Sequence, residues 1–149
     1  MCHRVGNRMR CELAAVPAAR AWLVDQLQRM YALPGDMAED AVLVLSELVT
    51  NCVRADCHYF ALLVVGHHDR LRVEATDDAP GQPSPRRGEP GDVHGRGLGI
   101  VDAVASQWGV RPAPAGKTVW VELAVPDTAV PTFGCDRAPG QSPDNYAAG

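Results

Sequence analysis

The chain has 149 residues, 46% hydrophobic and 21% charged, which is enough to bury one core and too apolar for a disordered protein. Its formal net charge is -4, with a sequence pI of about 5.7 and no Lys/Arg run, so a protein that binds nucleic-acid backbones is not expected. No apolar run approaches the roughly 20 residues that cross a bilayer, so no membrane partner is expected either.

Residues 1–8 carry Arg4 and Arg8 with no apolar segment after them. They read as a flexible N-terminus rather than a secretory leader, which points to a cytoplasmic protein. The five cysteines, Cys2, Cys11, Cys52, Cys57 and Cys135, contain no CxxC pair. In a reducing compartment they are expected to be small hydrophobes or free thiols. Cys52, Cys57 and His58 have no second ligand cluster to complete a zinc site.

Residues 9–16 alternate weakly, with Cys11, Leu13 and Ala15 on one side, as an edge strand would. Pro17 suits the start of a helix, along which Leu23, Leu27, Met30 and Tyr31 recur at helical spacing until Pro34-Gly35. Asp36 followed by Glu39 resembles a capping box opening a second helix. Its apolar stripe is Val42, Leu45, Leu48, Val49, Cys52 and Val53. Glu47 and Asn51, four apart, project together beside that stripe.

Residues 59–65 form a continuous apolar run suited to a buried strand. After a turn at 66–69, Leu71, Val73 and Ala75 alternate with Arg72, Glu74 and Thr76 as the second arm of a hairpin, ending at Asp77-Asp78. Residues 79–96 are rich in Pro and Gly, the composition of a lid, a binding segment or a disordered loop. A third helix is expected straight after Gly95-Arg96-Gly97-Leu98-Gly99, with Ile100, Val101, Val104, Ala105 and Trp108 along one side. Residues 109–112 and 118–125 read as strands, and 126–149 as a disordered Pro/Gly-rich tail. The expected fold class is α/β: a two-layer sandwich with helices on one face of a mixed, mainly antiparallel sheet, formed by residues 9–125.

Several pieces of this chain suit nucleotide chemistry. A carboxylate and an amide one helical turn apart, Glu47 and Asn51, can share a hydrated magnesium ion, or the glutamate can take a proton from a nucleophile. The same pair also suits an ordinary solvated helix face. Asp77 at a strand end can accept a hydrogen bond from an adenine amino group, with Gly81 permitting close backbone approach. The bland alternative there is a simple turn. Gly95, Gly97 and Gly99 before a helix let backbone N–H groups face phosphate, and Arg96 adds a charge-assisted contact. The Rossmann pattern fails because position 100 is Ile, and a P-loop fails because position 111 is Arg. Thr118, after Gly116-Lys117, offers a hydroxyl near the base or belongs to a β-turn.

In order and spacing these pieces resemble one family. Glu47-x-x-x-Asn51, Asp77-x-Ala79-x-Gly81, Gly95-x-Gly97-x-Gly99 and Gly116-x-Thr118 look like the N, G1, G2 and G3 boxes of the histidine-kinase-like ATPases, the Bergerat fold. The stretch from Leu45 through Ser46-Glu47-Leu48-Val49-Thr50 to Asn51 is similar to the stand-alone branch, the anti-sigma-factor serine kinases. The resemblance implies ATP and Mg2+ as cofactors, with Asn51 holding magnesium and Glu47 as general base toward a protein serine. It implies that Asp77 and Gly81 serve the base, and that Gly95, Arg96, Gly97, Leu98 and Gly99 serve the phosphates. Expected partners are a sigma factor and an anti-sigma antagonist, and relatives are typically homodimers. The family pattern is broken at Ala55, where a histidine is common, and at Ala79, where glycine is usual; Arg96 is offset by one position from the arginine of some members. A serine kinase and a nucleotide-gated binding module without phosphotransfer both remain compatible with this pattern.

Overall fold

The computed structural model describes residues 3–32, 34–79 and 95–133, with only the backbone described for 95–98. Five strands form one sheet in the order β1-β3-β4-β6-β5: β1 (His3–Arg10), β3 (Tyr59–Gly66), β4 (Arg70–Asp77), β5 (Gln107–Pro112) and β6 (Lys117–Ala124). Every pairing within it is antiparallel. The helices are α1 (Ala15–Met30), α2 (Gly35–Arg54) and α3 (Gly95–Val104). Two short strands, β2 (Tyr31–Ala32) and β7 (Val130–Pro131), pair separately. The α/β two-layer class is as expected.

Alternation along the strands builds the core. Val64, Val73 and Val121 lie side by side in register, as do Leu62, Ala75 and Val119, and all are buried. These residues form the sheet's inner face. Against it α2 lays the stripe Val44, Leu45, Leu48, Val49 and Cys52, each at most 4% exposed. Helix α1 adds Ala15, Ala19, Leu23, Leu27 and Met30 at nearly regular fourfold spacing. A buried Leu removed to Ala at these contacts costs about 2–5 kcal/mol.

Several boundaries differ from the sequence reading. Residues 3–8, expected to be flexible, belong to β1, which pairs with β3 from His3 to Arg10. The strand reads poorly because its half-buried side is His3, Val5, Asn7 and Met9, only half of it apolar. Helix α2 begins at Gly35, with φ +53, and has no side-chain cap, so Asp36 serves the first turn by charge alone. Trp108 lies in β5 and not in the third helix; that helix ends at Val104, and the Trp108 indole N–H donates to the Asp102 carboxylate at 2.8 Å. Residues 130–131 pair with β2, and the Thr132 amide donates to the Met30 carbonyl at 2.8 Å, so the domain continues past residue 125. The remainder of the expected tail, 134–149, lies outside the described residues.

The cysteine expectation is also corrected. Cys11 and Cys57 form a disulfide, with Cα atoms 5.6 Å apart. Register explains it: Arg10 pairs with Tyr59, and the Cys11 amide donates to the His58 carbonyl at 2.9 Å, so the two cysteines meet where β1 ends and β3 begins. Among the described cysteines Cys52 is free and buried. The bond closes a sequence separation of 46 residues, for which chain entropy gives about 3–4 kcal/mol. Reduction, or Cys11→Ser, is therefore expected to lower the unfolding free energy by about 3–4 kcal/mol, read as a lower urea midpoint with an m-value no smaller than that of the oxidised protein. Identical unfolding curves with and without reductant would contradict the cross-link.

Candidate nucleotide site

The site grows from the end of β4. Asp77 continues the inner row of that strand after Leu71, Val73 and Ala75, so its carboxylate points toward the helices. It is 4% exposed. A buried carboxylate needs partners, because leaving it unpaired costs several kcal/mol. Lys117 supplies one, its Nζ 2.8 Å from Asp77 Oδ2. The Ala79 amide supplies another, donating to Asp77 Oδ1 at 3.1 Å. Above them on α2 the Cys52 thiol is pushed up to about 12, first by burial and then by the Asp77 charge and a hydrogen bond to that carboxylate. Asp77 therefore lies directly beneath the C-terminal half of α2.

Asn51, next to Cys52 on that helix, presents a buried Oδ1 with no hydrogen-bond partner among the described residues. A buried amide oxygen left unsatisfied costs about 1–3 kcal/mol, which favours a ligand there. Glu47 stands one turn earlier on the same side, half-buried like Asn51. An oxygen pair of this kind suits magnesium, which keeps several waters and takes one or two protein oxygens.

Ala79 does not strain the chain. Among the described residues Asp56 is the non-glycine with positive φ, so Ala79 occupies an ordinary backbone region. The glycine requirement falls instead on Gly116. A Cβ there would collide with the Asp77 carbonyl oxygen and lie 2.8 Å from Asp77 Oδ1. The β6 entry therefore packs against Asp77 closely enough to exclude any side chain.

Gly95, Gly97 and Gly99 fall within α3 itself, in its first turns, rather than in a loop ahead of it. A Cβ at Gly99 would meet nothing within 4 Å. Helix α3 packs against α2. The side chains of Arg96 and Leu98, and all of Gly81, lie outside the described residues.

Thr118 is not brought to Asp77. It pairs in register with Thr76, their hydroxyls 2.7 Å apart, and both belong to the outer face of the sheet. That face also carries the buried Arg72, Glu74 and Glu122, joined by the half-buried Arg111, with Arg72 over the Trp120 ring. The inner position opposite Asp77 belongs to Lys117. Lys117 and Cys52 were missed as site residues in the sequence. Counting strand alternation from Asp77 across to β6 was the available signal for Lys117; for Cys52 the apolar stripe hid it.

Beside the site, the Asp78 carboxylate accepts the His58 amide at 2.7 Å and the Tyr59 amide, and these contacts hold it below the usual carboxylate range. The disulfide and β4 are thereby tied together at one end of the sheet.

A helix bearing Glu47 and Asn51 over a strand-end Asp77, with a glycine-rich helix start alongside, is an arrangement shared with a known family. The family model of the histidine kinase-like ATPase domain matches residues 9–123. The chain belongs to that family. Its membership carries ATP binding, in the fold described above. Among curated proteins none matches the chain. No helix among the described residues is long and apolar enough to cross a membrane.

Two measurements test this geometry. In the native protein Cys52 is expected to resist thiol reagents at pH 8, since burial beside Asp77 keeps it protonated, and to react once unfolded; labelling of native Cys52 at the rate of a free thiol would contradict its placement. Gly116→Ala is expected to lower stability by about 1–3 kcal/mol through overpacking against Asp77, read by chemical unfolding, whereas a neutral effect would place Gly116 elsewhere.

Proposed function

We propose that this chain is an ATP-dependent protein serine/threonine kinase of the anti-sigma-factor type, which phosphorylates an anti-sigma antagonist and sequesters a sigma factor. The observation that carries the reading is the unpartnered Asn51 Oδ1, one turn from Glu47 on the helix that covers Asp77. Asp77 and its neighbours take the purine, and the first turns of α3 take the phosphates through backbone N–H groups. Asn51 holds magnesium, which when bound supplies positive charge against the phosphate oxygens. Glu47 accepts the proton of the attacking serine hydroxyl. Asp77, buried beside Lys117, orients the nucleotide.

The finer parts of this reading, serine specificity and the sigma-factor partner, come from the likeness of residues 45–51 to that branch. A second reading is a nucleotide-gated binding module without phosphotransfer, which keeps Asp77 and the glycines and has no need of Glu47. Both readings keep the protein away from nucleic acid and allow a homodimer.

Glu47→Gln separates them. With a purified antagonist domain carrying its serine, phosphotransfer is expected to fall about 10²–10⁴-fold while ATP affinity stays within a factor of two or so. Partner binding that depends on ATP, with no phosphate transferred by the wild type, would support the module and overturn the kinase.

A further inference from the structure

Lys117 enters the site at the position where the sequence placed nothing. It faces Asp77 in register, on the inner side of β6, while Thr118 turns outward. Its ammonium is 2.8 Å from Asp77 Oδ2, and its side chain is 26% exposed against 2% for the aspartate. Lys117 is therefore the more exposed member of the pair and Asp77 the enclosed one. Together they present one donor beside one acceptor, at hydrogen-bond distance from each other.

We propose that Lys117 is the second base-reading residue of this pocket: it donates to the ring nitrogen flanking the amino group that Asp77 accepts, so the pair selects a 6-aminopurine. This deepens the nucleotide reading above and rests on it. The carboxylate has about four lone-pair positions. Lys117, the Ala79 amide and the Cys52 thiol already occupy it. What is left suits a single N–H, as an exocyclic amino group offers on this edge, while the ammonium keeps one N–H on Asp77 and turns another to the adjacent ring nitrogen. Guanine brings two neighbouring N–H donors and a carbonyl, and would have to displace the Ala79 or Cys52 contact to be read. That contact is fixed by backbone and by packing, and Gly116 leaves no slack behind Asp77. Rejection of a base that leaves buried polar groups unpaired is the strong form of specificity.

Calorimetric titration of the full chain, in the presence of magnesium, with ATP, GTP, 1-deaza-ATP and 7-deaza-ATP tests this, alongside Lys117→Met and Lys117→Arg. The wild type is expected to bind ATP at least tenfold more tightly than GTP, and one of the two deaza analogues about tenfold more weakly than ATP. Lys117→Met is expected to lose about tenfold in ATP affinity and to stop distinguishing that analogue, while Lys117→Arg keeps part of the distinction. Equal binding of ATP and both analogues by the wild type overturns the assignment without needing any variant to fold, and leaves the nucleotide reading intact. ATP binding undiminished in a folded Lys117→Met variant overturns it as well. A folded wild type that binds none of these nucleotides overturns both this inference and the reading beneath it.

Discussion

The ion pair between Asp77 and Lys117 is the constraint around which the site is organised. A carboxylate at the inner end of β4 lies under α2, where water is scarce, and it must be neutralised where it stands. The register between β4 and β6 does this by placing Lys117 directly opposite. Gly116 then has to be glycine because the chain enters β6 against the Asp77 backbone. Cys52 above is held protonated by burial and, after it, by the same charge. One buried aspartate thus fixes the identity of residues on two other elements.

The nearby disulfide adds rigidity to the same end of the sheet. Cys11–Cys57 joins the end of β1 to the start of β3, and Asp78 accepts the next two amides along. The segment between α2 and β3, which also holds Asp56 with φ 61, is therefore pinned from both sides. Because α2 carries Glu47 and Asn51, fixing its C-terminal connection also fixes where those side chains sit over β4. A disulfide at this place departs from the reducing, cytoplasmic setting that the scattered cysteines suggest in the sequence.

Much of the fold was legible because its period is clear. The stripe on α2, the hairpin of β3 and β4, and the alternation of β6 each follow from apolar spacing alone. The edge strand β1 was not, because an edge strand with His3, Asn7 and three exposed arginines buries too little to leave a pattern. Trp108 misled for the opposite reason: a large apolar residue at helical spacing from Val104 belongs to the next strand, because its indole N–H bonds back to Asp102 on the helix. At the candidate site, the placement of Glu47 and Asn51 one turn apart on α2 and of Asp77 at the end of β4 was legible from spacing, and the family match over residues 9–123 agrees with the resemblance they suggested. Thr118 and Lys117 were exchanged, since only pairing register decides which of two consecutive strand residues faces inward. The disulfide likewise depended on long-range register, which spacing along the chain does not carry.

The central claim is that nucleotide binds between α2 and the inner end of β4. Backbone and side-chain NMR shifts followed through a Mg-ATP titration test it most directly. The account predicts perturbations concentrated at Glu47–Cys52, Asp77, Gly116–Lys117 and the first turns of α3, with the outer-face residues Arg72 and Trp120 unmoved. Saturating shifts centred on that outer face, or no shifts at millimolar Mg-ATP in a folded sample, would contradict it.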